Sequence, residues 1–310
     1  MQWGHIKSLF ILSFLILNIY LLFQFVERQR DSDVENLESG DNASLEEQLA
    51  SENITITADT DQEVTEANYI SASQRSFTNE EMEQLNSIDN LQATLSGTYF
   101  ILSQFDKPIP VTEDADEDSI TALVTPYLLD PDDYAYWGWD EELNIIMFFQ
   151  RKEGRTVYLN QNALLLFYLN DKNEITHYTQ TMLGEAKKQG NTESLSQPRQ
   201  AIGSLYQSRD LIQDQEVTDV QLGFVSRINS EESQVFAPTW KVTVDGEKNY
   251  FVNAIEGIIY PGNDTEFLKM TLAENYMGKI SLLPEDNELK APATAVFNQK
   301  LEQENRSETE

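Results

Sequence analysis

The stretch SLFILSFLILNIYLLFQFV, residues 8–26, runs for 19 residues without a charge and is bounded by Lys7 and Glu27. At about 1.5 Å per residue, a helix of this length spans roughly 28 Å, which matches the hydrocarbon core of a bilayer. The stretch is longer than the apolar core of a secretory signal, and no small-residue cleavage site follows it. It therefore predicts an uncleaved membrane anchor, whereas the rest of the chain has the composition of a water-soluble protein.

Charge alone leaves the orientation of this anchor open. Lys7 precedes the helix and Arg28 and Arg30 follow it, so a count of basic residues places the C-terminal body in the cytoplasm. The short N-terminal tail favours the opposite orientation. So does the absence of cysteine, which suits an exposed bacterial surface protein. We expect a single-pass protein of the cell membrane with a cytoplasmic N-terminus and an extracellular body.

Four polar residues in the anchor are candidate contacts with a partner helix. Ser13, Tyr20 and Gln24 fall within about 20° of one line along the helix, and Asn18 lies nearest the middle of the membrane. Polar side chains in hydrocarbon tend to hydrogen-bond a neighbouring helix. The alternative is that Ser13 and Tyr20 are simply tolerated there and that Gln24 sits at the interface.

The acidic composition excludes two classes of partner. The chain has 21 basic and 53 acidic residues, for a formal net charge of −32. Such a body does not bind nucleic acid by releasing counterions, nor does it lie on an anionic lipid surface, so its contact with lipid is confined to the one helix. Attraction of a cationic partner remains open, and solubility is the simpler explanation of the charge.

After the anchor, which we assign to residues 1–30, the sequence predicts an α+β protein with two small units of antiparallel sheet and packed helices. Short runs rich in aromatic and β-branched residues are separated by turn residues, which is typical of a meander. A helix from Pro198 precedes three strands, and Asp245-Gly246 is a typical hairpin turn. The predicted segments are an acidic spacer with a short helix (31–68), a first unit (69–187), a break near 187–191, a second unit (192–283) and a polar tail (284–310).

No catalytic constellation is apparent. The chain has no cysteine and two histidines, and His177 is more simply an ordinary strand residue than a catalytic base. Asp114, Asp116 and Asp118 alternate like calcium ligands but lack the glycine and the distant glutamate of an EF-hand loop. We therefore predict no enzyme activity, no metal site and no cofactor.

An aromatic run provides a candidate interface. Alternation along a strand would put Tyr134 and Tyr136 on one face and Trp137 and Trp139 on the other, with one pair in the core. We take Trp137 and Trp139 as the candidate exposed pair, for contact with a partner.

Several stretches resemble the YycI family. They are Trp3 followed by KSLFILSFLILNIYLLFQF (7–25), YISAS (69–73) leading to Phe77, VTV (242–244) and YFVNAIEG (250–257). The last hairpin is also similar to PepSY-type modules.

This resemblance implies a bacterial single-pass membrane protein with an extracytoplasmic α+β body and no enzymatic activity. Members of the family work with YycH and modulate the WalK (YycG) sensor histidine kinase, which governs cell-wall homeostasis. Their membrane helices are implicated in contact with the kinase. The alternatives are a membrane-tethered binding or inhibitor module that acts on a wall protein or ligand, and an anchored enzyme.

Overall fold

The computed structural model describes residues 7, 11–22, 44–62, 64–112, 114–226, 233–260 and 262–302, which fall into two units, Met1–Glu52 and Asn53–Glu310. In the first unit, residues 11–22 form helix α1 and Leu45–Ser51 form α2. Ser44 and Glu47 form the capping box of α2. Residues 8–10 and 23–26 of the predicted anchor lie outside the described residues. None of the helices described is both long and apolar enough to cross a membrane.

Within the described residues, the second unit contains two sheets of seven strands each. In chain order the strands are β1 (Thr55–Ile56), β2 (Glu66–Ala72), β3 (Leu91–Ser96), β4 (Phe100–Pro110), β5 (Tyr134–Asp140), β6 (Ile145–Lys152), β7 (Arg155–Thr156), β8 (Leu164–Leu169), β9 (Glu174–Gln180), β10 (Lys187–Ser194), β11 (Glu216–Ser226), β12 (Gln234–Val244), β13 (Lys248–Asn253) and β14 (Ile259–Tyr260). The helices are α3 (Asn79–Asn86), α4 (Glu117–Val124), α5 (Pro198–Ser208), α6 (Asp264–Met270), α7 (Met277–Ser281) and α8 (Lys290–Glu302), with a π-helical segment (Thr271–Tyr276) between α6 and α7 and 3-10 turns at Thr125–Tyr127 and Pro131–Asp133.

Sheet I has the strand order β3-β4-β9-β8-β6-β5, and β7 continues beside the end of β6. Strand β8 and the first five residues of β6 are apolar without interruption, because both faces of the sheet are covered there. One face packs on α3 and α4, with Leu85 and Ile120 in its core. The other face packs on the C-terminal helices through Leu268 and Tyr276. Sheet I is therefore the middle layer of three.

Residues 290–302 of the predicted polar tail (284–310) form helix α8, which packs on sheet I. Ala293 and Phe297 are fully buried, and the ring of Phe297 lies 4.7 Å from that of Tyr168 in β8. The helix is difficult to recognise from the sequence, because only a few apolar residues at helical spacing interrupt a polar run.

Sheet II has the order β1-β11-β12-β13-β14, with β2 pairing with β12 and β10. Helix α5 buries Ala201, Ile202 and Leu205. Two observations differ from the predicted boundaries: β2 comes from the segment expected to begin the first unit, and β10 replaces the expected break. Every residue of β10 is exposed, which is why its sequence resembles a loop.

The two sheets meet where the chain leaves β7. Val157 forms a parallel bridge with Phe224 of β11, and the amide of Tyr158 donates to the Phe224 carbonyl at 2.8 Å. A Cβ atom on Gly223 would lie 2.6 Å from the carbonyl oxygen of Thr156 and would overlap the Tyr158 ring. Only glycine therefore permits this approach of the sheets.

Candidate functional site

A cleft of about 1160 Å³ opens between the edge of sheet I and one face of sheet II. From sheet I it is lined by five consecutive residues of β5: Ala135, Tyr136, Trp137, Gly138 and Trp139. From sheet II it is lined by polar side chains, which include Asp219, Gln221, Lys241, Thr243 and Asn249. Because β5 is the last strand of sheet I, its outer edge faces the cleft without a neighbouring strand in the described part of the chain.

Trp137 joins the two walls of this cleft. Its Nε1 donates to Oδ2 of Asp264 at 2.8 Å, and its ring stacks at 6.2 Å on Phe251 of β13. The ammonium of Lys241 lies 5.4 Å from the centre of the same ring, within the range of a cation–π contact. The indole therefore packs against both walls of the cleft and stays partly exposed.

Asp264 has a largely buried carboxylate with a raised pKa. Burial raises its pKa above the ordinary value, and Asp140 raises it further, while the Trp137 hydrogen bond and Lys241 oppose the shift. Its second oxygen, Oδ1, is buried and has no hydrogen-bond partner among the described residues. A buried acceptor without a donor is rare in proteins, so this oxygen is a candidate contact for a ligand or water.

The cations of the cleft differ in their pairing. Lys241 forms an ion pair of 2.9 Å with Asp219. Arg155 instead places its guanidinium 5.8 Å from the centre of the Phe224 ring, and burial lowers its pKa. No carboxylate pairs with Arg155 within the residues that the structure describes. Arg151 donates to the backbone carbonyl of Tyr134 at 3.4 Å.

The predicted tryptophan pair is split between two faces. The register of β5 on β6 shifts between Tyr136 and Gly138, which marks a β-bulge at Trp137. Because the bulge inserts an extra residue, Trp139 returns to the face of Tyr134 and Tyr136, contrary to simple alternation. Both tryptophans are half-buried, and Nε1 of Trp139 donates to Oδ1 of Asn144 at 2.8 Å. A role for either in contacting a partner stays a prediction.

Three of the four candidate contacts with a partner helix lie in α1. Ser13, Asn18 and Tyr20 are exposed on α1, and Nδ2 of Asn18 donates to the carbonyl of Phe14 at 3.0 Å. Gln24 lies outside the described residues. Asn18 keeps its side-chain oxygen for a further contact, since the bond to Phe14 uses only the amide nitrogen.

His177 and Asp116, considered from the sequence as a possible catalytic base and a possible calcium ligand, both have structural roles. His177 is buried in β9, which lowers its pKa to about 4 and keeps it neutral near pH 7. Its Nδ1 lies 3.0 Å from Oγ1 of Thr176. Asp116 caps α4 by accepting the amide of Ser119 at 2.9 Å. None of these residues lines the cleft.

Sequence reasoning missed Lys241, Arg155 and Asp264. Each belongs to a different element, and each is an ordinary charged residue in an acidic chain. They come together only through the pairing and packing of strands that are far apart in the sequence, so no local pattern could have identified them.

These features define an α+β protein of two mainly antiparallel sheets, with a polar cleft at an open strand edge. The chain belongs to the YycI family, since the model of that family, described as YycI protein, matches residues 32–255. The resemblance seen in the sequence is thereby confirmed. A comparison with curated proteins found no match.

Two solved structures are similar at low identity. An uncharacterized protein from Eubacterium rectale ATCC 33656 is 11% identical, with 68% of this chain and 91% of that chain covered and a TM-score of 0.41. The Bacillus megaterium YpeB C-terminal domain is 10% identical, with 60% and 97% covered and a TM-score of 0.36.

Proposed function

We propose that this protein is a non-enzymatic, membrane-anchored accessory protein that modulates a sensor histidine kinase of the WalK type, together with a YycH-like partner. The observation that carries the proposal is the match to the YycI family over residues 32–255. In this proposal the N-terminus is cytoplasmic, the body is extracellular, and the kinase controls cell-wall homeostasis.

The surface of α1 supports the membrane anchor. Its large apolar side chains are about half exposed or more, with exposed fractions from 49% for Leu17 to 69% for Ile11. A continuous apolar surface of this kind is unfavourable in water and favourable in lipid. Together with the uncharged sequence of residues 8–26, it supports insertion into the membrane, where one helix can contact the helices of a kinase.

The packing of the body supports a regulatory rather than a catalytic role. The histidine of β9 is neutral and buried, and Asp116 caps helix α4. Regulation requires only a difference in contact energy between two kinase states. A coupling of about 1–3 kcal/mol shifts the output of such an equilibrium about 5- to 150-fold.

A photo-crosslinking residue at position 18 tests the proposal in membranes. The matched control is a crosslinker at position 16, which lies about 200° around the same helix. We expect position 18 to capture a sensor histidine kinase and position 16 to capture far less. Replacing the other residues of 8–26 with leucine should abolish the capture. Equal capture from both positions, or no kinase from either, would contradict a specific helix contact.

A second candidate function is a tethered binding module, and the cleft is the observation that favours it. Capture of wall proteins through the body, without the kinase, would support this alternative and reduce the helix to a tether.

A further inference from the structure

The cleft exposes a strand edge that no other part of the described chain uses. Strand β5 pairs with β6 on one side only, and no backbone hydrogen bond reaches its outer side among the described residues. Every second residue of such an edge directs both its N–H and its C=O outward. An extended peptide can pair with these groups and so add a strand to the sheet.

The size of the edge fits a short peptide. The seven residues of β5 span roughly 24 Å, the length of an extended peptide of about seven residues. Gly138 lies near the middle of the lining, and a Cβ atom built on it would meet no atom within 4 Å. The space above the strand is therefore free at this point, so that no side chain obstructs a peptide that approaches the edge.

The charges of the cleft are unevenly distributed, with Lys241 beside Trp137 in the middle and Glu117 also in the lining. At one end, Arg151 contacts the carbonyl of Tyr134, the first residue of β5, and Arg155 packs over Phe224 near the end of β11. These two cations form no ion pair among the described residues, and the carboxylate that acts on the pKa of Arg155 is that of Glu153, two residues before it.

The opposite end of the cleft is acidic. Glu141 directly follows β5. Asp264 lies between the middle of β5 and this end, since it accepts a hydrogen bond from Trp137 and is next to Thr265, whose hydroxyl donates to Asp140 at 2.5 Å. Glu247 lies in the turn after β12, where the amide of Asp245 bonds to the carbonyl of Glu216 at the start of β11. Glu216 and Phe224 are eight residues apart on one strand, which corresponds to roughly 27 Å.

We propose that this cleft binds an extended peptide that adds as a strand to the outer edge of β5, with a carboxylate at Arg155 and Arg151 and a basic group at the acidic end. The unpartnered oxygen of Asp264 accepts a hydrogen bond from that basic group. A sugar is a poorer fit, because Lys241 and Phe251 already pack on the ring of Trp137. This proposal does not rest on the kinase role.

The test uses the full chain in lipid nanodiscs and a displayed library of random heptapeptides. Peptides that bind the natural chain are counter-selected against Gly138→Val, which fills the open space at the strand edge. We expect enriched peptides to carry an acidic residue near one end and a basic residue near the other. Amide hydrogen exchange should slow at residues 135–139 when a synthetic copy of such a peptide binds.

Two matched variants separate the site from general charge effects. Arg155→Glu should weaken binding at least tenfold, whereas Lys188→Glu, the same charge change on the exposed strand β10, should alter it less than twofold. Arg155→Gln provides a milder change if Arg155→Glu unfolds the protein. Failure to enrich any peptide over Gly138→Val would overturn the proposal, as would exchange protection confined to other strands or binding of sugars alone.

Discussion

The side-chain ammonium of Lys300 lies 2.7 Å from the carbonyl oxygen of Leu169, so the last helix is attached to the end of the central strand β8. The residue is only 2% exposed, and burial lowers the pKa of the ammonium to about 8. Asp171 and Asp140 act in the opposite direction. A charge buried in this way destabilises the folded state at neutral pH, even though it satisfies a backbone acceptor.

The first prediction concerns pH. Above pH 8 the folded protein releases the Lys300 proton, whereas the unfolded chain keeps it until about pH 10.5. The unfolded state then binds more protons, so stability increases with pH across this window. Between pH 8 and 10.5 the free energy of unfolding of the natural chain should rise by about 3 kcal/mol relative to that of Lys300→Met, which does not titrate. Urea denaturation at several pH values measures this difference, and a difference independent of pH would contradict it.

The second prediction concerns the junction of the sheets. Gly223→Ala places a Cβ atom 2.6 Å from the Thr156 carbonyl, which belongs to the backbone and cannot move aside. We expect this substitution to destabilise the protein by about 3 kcal/mol or more in chemical denaturation. Gly138→Ala is the control, because its Cβ would meet no atom within 4 Å and should change stability by less than about 0.5 kcal/mol. Equal effects of the two substitutions would count against the described junction.

The third prediction compares the two tryptophans of β5. Trp137→Phe removes the hydrogen bond to the buried carboxylate of Asp264. We expect this substitution to lower the free energy of unfolding by about 2–3 kcal/mol. Trp139→Phe removes a bond to the neutral Asn144, whose side chain still donates to the Asn170 carbonyl at 2.9 Å. In this control variant the free energy of unfolding should fall by about 1 kcal/mol. Thermal unfolding of both variants provides the comparison, and a larger loss for Trp139→Phe would refute the assignment.

The fourth prediction concerns Asp264. Because burial raises its pKa in the folded state above the unfolded value of 3.8, the folded protein binds more protons just above pH 3.8. Stability therefore decreases as pH rises through this window. Asp264→Asn cannot ionise and should lose less stability than the natural chain between about pH 4 and pH 7. Identical pH profiles would show that the carboxylate is not buried.

Several local features were predictable because their causes lie within a few residues. The capping boxes at Ser44 and Thr78 are both present, each with the glutamate three residues later. Asp245 and Gly246 have φ values of 56° and 75°, as a tight hairpin turn requires. Helix α5 begins at Pro198 as expected, and it ends at Ser208, where Arg209 adopts a left-handed conformation.

The parts that were missed depend on contacts between distant residues. Strand β2 joins sheet II through pairs such as Phe236 with Ile70, which no local pattern records. The bulge at Trp137 depends on the register against β6, and it redirects Trp139. The charged residues of the cleft are assembled from both sheets and from α6, so the site becomes visible only in the folded protein.

The central proposal is that the chain modulates a sensor histidine kinase through helix α1, inserted in the membrane. Its most direct test is the autophosphorylation rate of a WalK-type kinase in vesicles that contain the full chain, the Asn18→Leu variant or neither. The account predicts that the full chain changes the rate several-fold and that Asn18→Leu removes most of this change while the body stays folded. An identical rate with and without the full chain would contradict the account.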